Sequence, residues 1–156
     1  RAQDSAQDRA QDSALERARR RLLRADVGAR WSRPALPLPR SSAVLLPLLL
    51  RRGRPHLLLT VRAAQLRRSP GEVCFPGGKS EACDKDDIDT ALREAKEEVG
   101  LPPEKVEVIC RLVPGIDKVN QLVTPVVGFI EDTFQATPNP DEVSEVFFVP
   151  LEYFIK

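Results

Sequence analysis

The chain has 156 residues, 42% of them hydrophobic and 30% charged, which suffices for one domain with a core of its own. Its 24 Lys and Arg nearly balance 23 Asp and Glu, and a net charge of +1 gives no global electrostatic signal for DNA or a membrane surface. No stretch approaches the ~20 apolar residues of a membrane span, and three cysteines without a CxxC pair (Cys74, Cys83, Cys110) speak against a disulfide framework or a zinc site.

Residues 2–13 repeat with a period of four, AQDS, AQDR, AQDS. The period keeps Ala2, Ala6, Ala10 and Ala14 near one helical face and Asp4, Asp8 and Asp12 on another. An alanine stripe favours helix but buries little, so a solvated, partly helical segment is expected. A basic run follows at Arg17, Arg19, Arg20, Arg21 and Arg24, and the acids upstream of it do not fit a transit peptide. Residues 1–30 are therefore read as an N-terminal tail carrying the repeat and a basic helix, and residues 31–156 as the folded domain. Pro34, Pro37 and Pro39 mark an irregular lead-in, with Trp31 as a packing residue.

The apolar run AVLLPLLL at 43–50 suits a buried strand. A Gly/Pro turn, RRGRPH at 51–56, joins it to a second strand, LLLTVR at 57–62. His56 falls in that turn. Residues 65–80, QLRRSPGEVCFPGGKS, are mostly loop, with a short extended piece at Val73–Phe75. A helix is predicted over 87–99. Asp86 or Asp87 can cap it, Gly100, Pro102 and Pro103 stop it, and Ile88, Leu92, Ala95 and Val99 form its apolar face. Strands are expected at 105–113 and 122–130 and in VSEVFFVPL. A central helix among strands implies an α/β layered domain.

That helix ends in a concentration of acid. Glu94 and Glu98 lie on one strip and Glu97 beside them, away from the apolar face. Acids near a helix C-terminus cost roughly 0.3–1 kcal/mol each, so a solvated face flanked by Arg93 and Lys96 would be tolerated. However, a Gly-Gly turn, FPGGK, lies just upstream and can bring backbone groups close to a ligand. Carboxylates with a backbone carbonyl suit Mg²⁺ or Mn²⁺. Such a cation relieves a repulsion of about 4 kcal/mol for charges 4 Å apart at an effective dielectric of 20.

FPGGK followed by ALREAKEEVGL resembles the Nudix box, G-x5-E-x7-R-E-U-x-E-E-x-G-U with U aliphatic. Arg93, Glu94, Glu97, Glu98, Gly100 and Leu101 fall on its fixed positions. Upstream, LLTVRAAQLRRSPGEVCFPGG is similar to the additional signature of the coenzyme A-hydrolysing branch. There Leu58, Leu59, Thr60, Arg62, Ala63, Arg67, Gly71 and Phe75 to Gly78 match. The resemblance covers roughly residues 20–156. It implies a Nudix-type α/β/α sandwich with a mixed sheet, and a chain that ends before the branch's second helix.

The implied activity is metal-dependent hydrolysis of coenzyme A and acyl-coenzyme A at the diphosphate. Glu94 and Glu98 are then the principal ligands of Mg²⁺ or Mn²⁺. Glu97 is a third ligand or the group that deprotonates water, and Arg93 holds the glutamates. Arg62 and Arg67 are candidate phosphate binders, Arg68 and Lys79 lesser ones, and Gly77 and Gly78 supply backbone geometry and one carbonyl ligand. Glu142 and Glu145 are further candidates for a base from outside the box. From Gly78 to Arg93 is one residue longer than in the general box, so its first Glu has Asp84, Asp86 and Asp87 as alternative counterparts. The resemblance also implies a peroxisomal setting, although the C-terminal tripeptide that directs it has no counterpart here and a cytoplasmic one stays open. The competing expectation is an inactive, truncated form that binds metal, coenzyme A or a partner chain.

Overall fold

The computed structural model describes residues 2–26, 41–117 and 121–154. Trp31, Pro34, Pro37 and Pro39 lie outside the described residues. A first helix, α1 (Ala2–Ala25), precedes two strands, β1 (Ser41–Arg51) and β2 (Arg54–Arg62). Two short strands follow, β3 (Val73–Cys74) and β4 (Gly77–Lys79), then α2 (Asp87–Val99), β5 (Glu107–Arg111), β6 (Gly115–Ile116), β7 (Leu122–Phe129) and β8 (Val143–Pro150). Among the described residues no helix is long and apolar enough to cross a membrane.

The strands make one mixed sheet in which β1 and β7 run parallel and every other pair is antiparallel. The β1–β2 hairpin is tighter than the expected turn. Only Arg52 and Gly53 lie outside the strands, both with positive φ (53° and 74°), as a two-residue turn matching strand twist requires. Gly77–Lys79, expected as loop, is a strand.

β1 changes partner along its length. Ser42–Val44 pair with β4, whereas Leu48–Arg51 pair with β2. β3 in turn pairs with Thr60 and Val61 of β2. Residues 73–79 are thus a wedge between two strands that part. Pro47 sits where β1 exchanges β4 for β2. The Leu45 amide donates into the wedge, to the Pro76 carbonyl at 2.7 Å, so residue 47 would turn its amide the same way. Proline has no N–H to leave unpaired there.

Alternation along the strands divides the core between two faces. Leu45, Leu49, Leu58 and Val126 pack with Ala91, Ala95 and Val99 of α2. Leu48, Leu57, Leu59 and Phe129 take the opposite face, where Leu15, Ala18 and Leu22 of α1 pack against them. Each fully buried leucine contributes about 2 kcal/mol. Arg19 fastens α1 by a two-pronged pair with Glu107 (2.6 and 3.1 Å) and lies 5.5 Å over the Phe129 ring. The helix begun by the repeat therefore continues to Ala25, and its second half is packed rather than solvated.

α2 has the predicted bounds. The Asp86 side chain accepts from the Asp89 amide at 3.0 Å, and Gly100 closes the helix at φ 71° with its N–H on the Ala95 and Lys96 carbonyls. Of the two candidate caps, Asp86 is the one used. Asp87 instead accepts from the Thr124 hydroxyl of β7 at 3.1 Å, tying the helix start to the sheet.

Candidate metal centre

Packing Ala91, Ala95 and Val99 on the sheet turns the acidic strip of α2 toward the wedge. Glu98 is buried, and its Oε2 accepts from the Gly77 amide at 2.9 Å. Gly78 lies against Glu94: a Cβ added at Gly78 would stand 2.7 Å from the Glu94 carboxyl carbon. Glycine at this position lets the backbone approach the carboxylate.

Arg93 organises the acids. Its Nε and Nη2 donate to Asp84 Oδ1 and Oδ2, both at 3.0 Å, a bidentate pair in which the Asp84 side chain is 5% exposed. Its Nη1 donates to Glu94 at 3.0 Å and Glu97 at 3.4 Å, and Nη2 reaches the Lys79 carbonyl at 3.0 Å. Asp84 also accepts from the Glu81 amide and the Thr90 hydroxyl, each at 2.9 Å. Of the three aspartates offered by the sequence, Asp84 therefore supports Arg93. The Arg93 guanidinium holds its carboxyl well below the usual carboxylate range.

The glutamates are shifted the other way. Burial pushes Glu98 up to about 8, with the Glu94 and Glu142 charges adding and the Gly77 amide opposing. Burial also raises Glu94, outweighing Arg93 beside it. Glu142 is raised by burial and then by the charges of Glu97 and Asp141.

A ligand set emerges from geometry alone. Carboxylate oxygens of Glu94, Glu97 and Glu142 lie within 4.8 Å of one another. Such a cluster of hard oxygens fits Mg²⁺ or Mn²⁺. Glu145 is exposed and stands apart from this cluster.

The remaining candidates are distributed unevenly. Arg62 donates from Nε to the Arg68 carbonyl at 3.1 Å, and its charge acts on both Glu98 and Glu142. Arg67 and Arg68 are exposed on the loop after β2, and Lys79 is exposed at the end of β4. His56 bonds its own hairpin, with Nδ1 2.8 Å from the Arg54 carbonyl, and the Cys74 thiol lies against the Thr60 hydroxyl at 3.4 Å.

Sequence reading did not find the brace behind Glu142. The Thr137 amide donates to the Val99 carbonyl at 3.0 Å and the Asn139 amide to the Glu98 carbonyl at 2.9 Å, so the TPNPDE turn is bonded to the end of α2. A register shift between β2 and β8 at Val61/Arg62 sets Arg62 opposite Val143, beside Glu142. No local spacing announces either feature.

A family model described as the NUDIX domain matches residues 39–155. The chain is 56% identical over 135 residues to mouse "Peroxisomal coenzyme A diphosphatase NUDT7", covering 86% of this chain and 56% of that protein. It is 48% identical over 114 residues to "Uncharacterized Nudix hydrolase NudL" of Pectobacterium atrosepticum, covering 72% and 58%. It thus spans little more than half the length of the curated relatives it matches. Among solved structures, a C. elegans Ap4A hydrolase binary complex superposes with a TM-score of 0.63 at 20% identity, covering 74% of this chain and 83% of that one. The NUDIX domain of Shewanella oneidensis NrtR with ADP ribose gives 0.57 at 20% identity, covering 83% and 84%. At those identities the likeness concerns the fold.

Proposed function

The chain belongs to the NUDIX family, and from that premise we propose that it hydrolyses the diphosphate bond of coenzyme A and acyl-coenzyme A. The products would be adenosine 3′,5′-bisphosphate and 4′-phosphopantetheine carrying any acyl group. The observation that carries the reading is the meeting of Glu94 and Glu98 with the Gly77–Gly78 backbone, beside the stretch from Leu58 to Gly78 that resembles the coenzyme A signature. The 56% identity to a coenzyme A diphosphatase supports the same substrate class, and the peroxisomal setting named for that relative supports the same compartment.

Bound Mg²⁺ or Mn²⁺ supplies charge neutralisation and a water of lowered pKa. Glu94 and Glu98, one turn apart on α2, would be its principal ligands. Arg93 fixes the directions of Glu94 and Glu97 by donating to both, a supporting role that depends on Asp84. Glu97, the most exposed of the three, is a third ligand or the group that takes the proton of an attacking water. Attack forms a phosphorus–oxygen bond and breaks the bridging one, and the departing phosphate leaves as an anion. Arg62, Arg67 and Lys79 are assigned to its charges and to the 3′-phosphate, with the forked guanidinium geometry favouring the arginines. Gly77 and Gly78 allow close approach.

The test is incubation of the folded chain with coenzyme A and Mg²⁺ or Mn²⁺, with chromatography of the products and Glu98→Gln alongside. Adenosine 3′,5′-bisphosphate from the wild type and none from the variant is expected. A folded wild type that releases none would overturn the enzymatic reading in favour of a form that only binds.

A further inference from the structure

We infer that the apolar cavity between α1 and the sheet is a binding site for a long-chain fatty acid, whose carboxylate is held at the rim by Arg17 and Arg21. The cavity lies on the face of the sheet opposite α2, so the site is separate from the metal centre and does not depend on the function proposed above.

The cavity has a volume of about 620 Å³, within the range of roughly 300–1,000 Å³ that small-molecule sites occupy. Leu46, Leu48, Leu57 and Val127 of the sheet line its floor. The alanine stripe of α1 is what leaves the space open: Ala14 and Ala18 present one methyl each where Leu22, a turn further on, presents a whole side chain. Phe75 of the wedge and Phe154 line the cavity as well, their ring centroids 6.1 Å apart. Phe154 is 49% exposed, an apolar ring that a bound chain would cover.

The charges at the cavity are of one sign. Arg17 and Arg21, neighbours at helical spacing on α1, are the only charged side chains that line it among the described residues. Neither makes a hydrogen bond or an ion pair among those residues, whereas Arg19 between them is committed to Glu107. No carboxylate and no side-chain amide or hydroxyl of the described residues lines the cavity. A nucleotide base would find no side-chain partner there, and a cationic head would meet two like charges. An apolar chain ending in a carboxylate satisfies both features. The chain takes leucine and phenylalanine surface out of water, and the carboxylate accepts from forked guanidinium donors. A helix about 10 Å across would use up this volume in less than about two turns, whereas an extended acyl chain can follow all of it.

Nile red, an uncharged dye that brightens in apolar surroundings, is titrated into the full chain and displaced with laurate or with 1-dodecanol, each below its aggregation limit. One dye molecule per chain is expected, with laurate the stronger competitor. Replacing both exposed arginines, Arg17→Gln with Arg21→Gln, is expected to weaken laurate roughly tenfold or more while leaving 1-dodecanol unchanged. Ala14→Phe fills the cavity and is expected to abolish dye and laurate binding; circular dichroism reports its folding, and if it does not fold, Ala14→Leu must show the weakening. Equal competition by laurate and 1-dodecanol, or laurate binding indifferent to the arginines, overturns the carboxylate site and leaves a bare apolar surface. A chain that takes up no dye and sediments as a dimer would have this face covered by a second copy. Binding to phosphatidylglycerol vesicles without binding of monomeric laurate would make the face a membrane contact. Either result overturns the fatty-acid site.

Discussion

Glu98 is a buried carboxylate with one backbone amide for a partner and other acids around it. Replacing it with glutamine keeps an acceptor for the Gly77 amide while removing the charge. Glu98→Gln is therefore expected to cost about a hundredfold or more in diphosphate hydrolysis while the metal-free protein melts no lower than wild type; a clear fall in melting temperature would contradict this account. Asp84 presents the opposite case, since its charge is satisfied on every side. Asp84→Asn leaves Arg93 without its bidentate partner and is expected to destabilise the fold by about 2–3 kcal/mol in urea titrations. Asp86→Ala removes only a helix cap, worth about 1 kcal/mol by the same measurement. Equal costs for the two would contradict the assignment of Asp84 as the support of Arg93.

The wedge of residues 73–79 separates two glycines that the sequence writes side by side. A Cβ at Gly77 would run into the Ala43 carbonyl and stand 2.7 Å from the Val44 Cα, so backbone must move. At Gly78 the obstacle is the carboxylate end of Glu94, which can swing aside. Gly77→Ala is thus expected to lower the melting temperature markedly. Gly78→Ala is expected to melt near wild type yet weaken Mn²⁺ binding, and thermal melts with metal titrations on both variants separate the two effects. The wedge also marks where sequence reading stopped. α2, its cap and its acidic strip were legible because helical spacing is local and Asp86 and Gly100 carry their own signals. Gly77–Lys79 was not, since two glycines and a lysine show no alternation to read as a strand. The docking of α1 was missed for a related reason: Leu15, Ala18 and Leu22 follow an alanine stripe that by itself buries little. Arg93, Glu94, Glu97 and Glu98 were named from one short motif, whereas the contact of Glu142 with them depends on a turn bonded to α2 from far along the chain.

For the molecule as a whole, Glu98 makes metal-free stability depend on pH. Its pKa, about 8 when folded, lies above that of an unfolded glutamate. The native state then binds the proton more tightly, so the associated stability is full below the unfolded value and is lost as pH rises toward about 8. Thermal melts in chelator are expected to fall across that window, and Glu98→Gln to flatten the decline; a wild type whose melting point rises over the same range would contradict the shift. The parallel pairing of β1 with β7 has a further consequence, one of timing. Ser41 meets Leu122 and Leu48 meets Phe129, so the loop they close contains both glycines of the wedge and all of α2. Contacts this distant in sequence are slow to form. During synthesis β1 waits for its central neighbour until nearly the whole described chain has been made. In refolding from denaturant, the helical signal should accordingly return ahead of Mn²⁺ uptake, and simultaneous recovery in stopped-flow would mean that cation capture does not await closure of the sheet.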